Sequence, residues 1–125
     1  MAIVKKRLES DLHHQQRGWG EEIWIENLSE YCGKILLVDV GKRGSLHFHF
    51  NKKETMWVEL GQATIRFIDT DTAKEYHVIL NQNESILIEP GQPHQIINSG
   101  SCTLRLFEFS TLHEETDSKR LQKGD

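Results

Sequence analysis

A chain of 125 residues has the length of one domain, and 15 Lys and Arg against 19 Asp and Glu leave a net charge of −4. With no basic cluster denser than Lys5-Lys6-Arg7, a nucleic-acid partner is not expected. The longest apolar run, Ile35 to Val38, falls far short of the roughly 20 residues that span a bilayer, and no secretory apolar region opens the chain, so a soluble cytoplasmic protein without a membrane partner is expected.

Residues 1–16 are a polar, charged arm in which Leu8 and Leu12 have the spacing of one face of a short helix. His13 and His14 are adjacent and point in different directions, so they read as solvated side chains and not as joint ligands. From Trp19 the pattern changes to short runs rich in Ile, Val, Phe, Trp and Thr: EEIWIEN, KILLVDV, SLHFHF, TMWVEL, ATIRFID, EYHVIL, SILIEP, HQIIN and TLRLFEF. Turn residues separate them, among them Gly41 to Gly44, Asn51-Lys52-Lys53, Asn81 to Asn83 and Pro90 to Pro93. Nine such runs without a crossover helix predict an all-β antiparallel sandwich or barrel over residues 17–112. Residues 113–125 return to polar composition and are expected to form a mobile tail. Cys32 and Cys102 are too few for a disulfide framework and read as thiols in or near strands.

Within this pattern residues 41–61, GKRGSLHFHFNKKETMWVELG, carry a metal-ligand spacing. His47 and His49 alternate on one strand and share a face about 7 Å apart, with Phe48 on the other face. Asn51, Lys52 and Lys53 form a polar turn, after which Glu54 opens an antiparallel strand and returns its carboxylate beside the imidazoles. The fourth candidate is His94, delivered at the start of a strand by the rigid turn of Pro90, Gly91 and Pro93. Three imidazoles and a carboxylate suit one divalent transition ion such as Zn, Mn, Fe, Ni or Co. Four protein ligands on an octahedral ion leave two positions open, which suits either isomerisation of a hydroxy aldehyde or ketone or dioxygen chemistry on iron.

On these residues the chain resembles the cupin superfamily. Gly41, His47, His49, Glu54 and Gly61 match every fixed position of the first cupin motif, G-x5-H-x-H-x4-E-x6-G. Gly91, His94 and Asn98 match the second, whose leading glycine is replaced by Asn83 and whose first proline is replaced by Glu89, with Pro90 one place later. Asn tolerates the positive φ that a glycine supplies, so Asn83 is a mild change. The resemblance implies a double-stranded β-helix, or jelly-roll barrel, with a short helical or irregular N-terminal segment.

RGWGEE at 17–22, Lys34 before an apolar strand, and VDVGKRGSL at 38–46 are further similar to the cupin domain of type II mannose-6-phosphate isomerases, with Gly18 in place of that family's proline. This resemblance implies a sugar or sugar phosphate as substrate and a metal-dependent isomerase or epimerase. Two other readings of the site stand beside it: a non-haem metal dioxygenase, and a non-catalytic module that grips a carbohydrate or small molecule through its ion. An isomerase needs a base, for which Glu59 and His77 are candidates, although both strand positions also suit solvent. Lys34, Arg43, Arg66 and Arg105 are candidates for holding a phosphate, and Trp57 and Tyr31 for stacking on a sugar ring. Alternation equally allows Arg66 and Arg105 to face outward and Trp57 to lie in the core. Sheet edges in small barrels commonly pair, so a homodimer is expected.

Overall fold

Apolar and polar residues alternate with period two along the central strands, so each buries one side, and the buried sides face each other across two antiparallel sheets. In the computed structural model, which describes residues 3–125, a 3-10 turn at Glu9–Asp11 precedes β1 (His13–Arg17), β2 (Gly20–Asn27), β3 (Cys32–Val38) and β4 (Leu46–His49). Then follow β5 (Glu54–Leu60), β6 (Ala63–Ile68), β7 (Glu75–Leu80), β8 (Ser85–Ile88), β9 (His94–Asn98) and β10 (Leu104–Ser110). A second 3-10 turn, Glu115–Asp117, leads into β11 (Ser118–Gln122). The strand orders are β1-β2-β3-β10-β5-β8 and β11-β4-β9-β6-β7. Strands distant in sequence are therefore neighbours, β3 with β10 and β4 with β9, and the fold is the double-stranded β-helix.

Register explains the core. Leu106 lies opposite both Leu36 and Val58, and Ile65 lies opposite both Ile96 and Val78, so successive cross-strand rows interlock. Leu106, Val58 and Ile65 are fully buried, each contributing on the order of 2 kcal/mol. The turns follow their residues: Asn83 has φ +69° and Gly61 +93°, and a Cβ at Gly61 would press on the Leu104 backbone.

The arm holds one 3-10 turn in otherwise irregular backbone, the short helical or irregular segment expected, with Leu8 exposed. The ends of the sheets are what is corrected, since residues 13–17 form an edge strand against β2. Met1 and Ala2, also part of that arm, lie outside the described residues. Residues 118–122 are not a loose tail but a strand paired with β4, placing Ser118 opposite His49 and Arg120 opposite His47. Buried Asp117 secures this return by accepting the backbone N–H groups of Asn51 and Lys52 at 2.9 and 3.0 Å. The sheets thus extend beyond residues 17–112 at both ends. No helix among the described residues is long and apolar enough to cross a bilayer.

Candidate metal centre

Strand parity puts His47 and His49 on the inner face of β4, and β9 opens with His94 directly opposite His47. One ligand atom from each of the three imidazoles lies within 4.8 Å of the others. Glu54, first residue of β5, reaches across from the other sheet to 2.7 Å from His94 Nε2 and 3.9 Å from His49 Nε2. The four residues expected as ligands are therefore brought together. Carbonyls only accept, so the contact from His94 Nδ1 to Gln92 O at 2.8 Å puts a proton on that nitrogen, while His47 Nδ1 lies 3.1 Å from both the carbonyl and the hydroxyl of Ser45. A proton on Nδ1 turns Nε2 toward a ligand. Burial alone would lower the His94 value, but Glu54 beside its Nε2 outweighs this and raises it.

Burial, then the neighbouring His94, pushes His47 down to about 4; burial, then Lys52, pushes His49 down to about 3. Both rings are neutral near pH 7, the form that binds metals. Both Glu54 oxygens, His49 Nδ1 and His94 Nε2 are buried without a hydrogen-bond partner. The 2.7 Å contact between His94 and Glu54 is close but lacks the direction of a hydrogen bond. Buried polar atoms left without partners cost about 1–3 kcal/mol each, and a shared cation would satisfy several at once. The donor set, free of thiolates, fits a divalent transition ion.

A cavity of about 440 Å³ opens beside these rings, with His47, His49, Lys34, Lys52 and Glu108 in its wall. Lys52 is the hinge of a buried charge network, with Nζ at 2.9 Å from Glu108 Oε2, 3.4 Å from Glu54 Oε2 and 3.2 Å from His113 Nδ1. Burial alone would raise the Glu108 carboxyl, but Lys52 and Lys34 outweigh it and hold it well below the usual carboxylate range. Lys52 moves above its ordinary value because Glu108 and Glu54 outweigh its own burial. Lys34 is buried, 3.4 Å from Glu22 and 4.2 Å from the centre of the Trp24 ring.

Of the other expected site residues, only Lys34 faces this cavity. Glu59 is on the outer face of β5, its Oε2 paired with Arg105 Nε at 3.0 Å, which removes both from the centre. His77 is exposed on the outer face of β7, 3.4 Å from Glu75. Arg66, cross-strand from His77, is bound outside to Glu75 at 2.6 Å and to Gln122 at 2.7 Å. Trp57 shares the outward row of Phe107, Tyr31 is exposed in the turn before β3, and Arg43 is exposed before β4. The reason is parity: Met56 and Val58 face the core, so Trp57 and Glu59 cannot.

The same parity exposes what the sequence reading missed. In TLRLFEF, Leu104, Leu106 and Glu108 share a side, so Glu108 was findable as an inward charge. Lys52 sat in a polar turn and carried no local sign of burial. Arg120 and Lys123, also in the cavity wall, lay in residues expected to be mobile.

The double-stranded β-helix and its inward histidines, with Glu54 reaching them from the other sheet, define a cupin. A family model described as mannose-6-phosphate isomerase, C-terminal, matches residues 5–123, and the chain belongs to that family. It is 34% identical over 95 residues to a mannose-1-phosphate guanylyltransferase of Sinorhizobium fredii, covering 76% of this chain and 17% of that protein. A putative mannose-1-phosphate guanylyltransferase of Vibrio cholerae is 28% identical over 109 residues, covering 86% of this chain and 22% of the relative. The chain thus spans about a fifth of the length of these relatives. Among solved structures, the capsular polysaccharide assembling protein CapF of Staphylococcus aureus superposes with TM-score 0.80 at 18% identity over 89% of this chain and 34% of that one. Oxalate decarboxylase of Bacillus subtilis superposes with TM-score 0.81 at 16% identity over 97% of this chain and 33% of that one. At these identities the superpositions speak to fold alone.

Proposed function

We propose that this chain is a metal-dependent isomerase or epimerase of a sugar or sugar phosphate, with His47, His49, His94 and Glu54 holding one divalent transition ion. The observation that carries the reading is the convergence of His47, His49 and His94 with buried Glu54, several of their atoms without partners, beside a cavity of about 440 Å³. Membership of the mannose-6-phosphate isomerase C-terminal family supports a sugar-phosphate substrate. When bound, the ion supplies Lewis-acid polarisation of a substrate carbonyl.

With Glu59 and His77 outside the cavity, the carboxylate in its wall beside the metal ligands is Glu108, which its ion pair with Lys52 makes too weak a base to take a proton and leaves as a hydrogen-bond acceptor that orients a substrate hydroxyl. Lys52 keeps it ionised and fixed in place. Lys34 adds positive charge on the same side of the cavity. The proposal includes a cytoplasmic homodimer. Exposed Ile25, Leu87 and Phe109 on the outer side of the six-stranded sheet are apolar area for a second copy to cover, and both cysteines are free thiols.

The test is elemental analysis of protein purified without added metal, then interconversion of hexoses and hexose phosphates followed by NMR, with oxygen consumption recorded alongside. Bound transition metal with aldose–ketose or epimer exchange, lowered in Glu108→Gln at unchanged metal content, is the expected result. Oxygen uptake, or full metal occupancy with no turnover of any sugar, overturns it.

A further inference from the structure

The charges around the cavity do not cancel. Its wall contains four carboxylates, and each is already engaged: Glu22 by Arg17 and Lys34, Glu108 by Lys52, Glu115 by His113, and Asp125 by the backbone N–H of Arg43. The wall also contains Arg120 and Lys123, and neither has a hydrogen bond or ion pair within the described residues. Arg120 and Lys123 are therefore the cations of the wall that no carboxylate pairs among the described residues, and the five cations of the wall exceed its four carboxylates by one. A phosphate monoester carries a charge of about −1.5 to −2 near neutral pH, which matches them.

Strand register aims Arg120 at the metal ligands. Residues directly opposite in an antiparallel pair point to the same face, and Arg120 is opposite His47, with Ser118 opposite His49. Lys119 is opposite Phe48 and points away. The segment carrying these cations is held in place. A Cβ on Gly18 would collide with the Asp125 backbone and one on Gly124 with the Gly44 backbone, so glycine at 18 and 124 permits a close approach that a side chain would block. The Asp125 N–H then donates to the Arg43 carbonyl at 3.0 Å. Arg120 is thus presented from a fixed strand, one strand away from an imidazole of the centre.

We propose that Arg120, assisted by Lys123, is the anion-binding subsite of the cavity and selects a phosphorylated ligand over its unphosphorylated counterpart. The phosphate would sit on β11 while the rest of the ligand extends toward His47 and His49. A planar guanidinium donates two parallel hydrogen bonds to phosphate oxygens, a geometry that lysine does not reproduce. This inference deepens the isomerase reading and rests on it for the sugar part of the ligand, but not for the anion.

The experiment is calorimetric titration of inorganic phosphate, mannose 6-phosphate and mannose into the full chain, Arg120→Gln and Lys119→Gln, with metal content matched. Lys119→Gln removes the same charge from the other face of the same strand and controls for net charge. Arg120→Gln is expected to weaken phosphate and mannose 6-phosphate by about ten- to a hundredfold, leaving mannose, metal content and melting temperature unchanged. Lys119→Gln is expected to change none of them, and Arg120→Lys to recover part of the loss. Equal phosphate affinity in Arg120→Gln and Lys119→Gln, or no phosphate binding by the parent protein, overturns the proposal. Arg120-dependent phosphate binding without turnover of any hexose phosphate would sink the isomerase reading and leave this subsite standing. Turnover of hexose phosphates with unchanged constants in Arg120→Gln would do the reverse.

Discussion

Replacing Lys52 by Met keeps most of the side-chain stem and removes a buried positive charge from between two carboxylates. The Lys52 side chain is 2% exposed, Glu54 1% and Glu108 8%, so water screens little of the interaction. Removing one partner of a buried pair costs about 3–5 kcal/mol, because the remaining charge is left without compensation. Two carboxylates lose a partner here, and the contact to His113 goes as well. For a domain of this size that loss corresponds to a fall in melting temperature of about 10–20 °C. The matched control is next door: Lys53 pairs with Glu89 at 3.4 Å, but their side chains are 51% and 60% exposed. Lys53→Met is therefore expected to cost at most about 1 kcal/mol. Both variants are measured by urea unfolding and calorimetry in chelator, so that bound metal does not offset the lost charge. Adding Glu108→Gln to Lys52→Met should restore part of the stability, since the uncompensated charge is then gone. Equal costs for Lys52→Met and Lys53→Met, or no recovery in the double variant, would refute the assignment of Lys52 as the keystone of the buried network.

His47→Ala and His94→Ala should each lose most bound metal by elemental analysis and melt at a lower temperature, because an ion that binds only the folded chain stabilises it by mass action. Glu54→Gln should retain less metal with an unchanged circular dichroism spectrum. Asp69 accepts the backbone N–H groups of Asp71 and Thr72 at 2.8 and 3.1 Å, which hold its carboxyl below the ordinary 3.8. A depressed folded value means that the stability it gives is present above 3.8 and lost as pH falls through that lower value, so the gap between parent and Asp69→Ala in urea melts should close on acidification. In the native state a thiol reagent should label exposed Cys102 and spare Cys32, whose thiol is buried and pushed up chiefly by that burial. Light scattering should give a dimer mass that falls toward the monomer in Phe109→Glu; a monomeric parent would reject the dimer.

Nine of the eleven strands were legible as runs of apolar and β-branched residues, because which side a residue takes depends only on its neighbours along the strand. β1 and β11 were not, and both are edge strands of polar sequence, HHQQR and SKRLQ. All five residues of β11 are exposed and part of its inner side faces the cavity, so nothing required it to carry the apolar residues by which a strand is recognised.

The amino-acid order by itself determined the barrel and the candidate ligands, since His47, His49 and Glu54 are fixed in relative position by one strand, one turn and the start of the next. The tertiary structure alone decided which charges belong to the cavity. Lys52 meets Glu108 across 56 residues, and Arg120 is set beside His47 by the pairing of β11 with β4. Such partners are chosen by the closing of two sheets, which local periodicity does not encode. Glu59 and His77 show the same limit from the other side, because being polar on a strand says nothing about which face the fold turns to water.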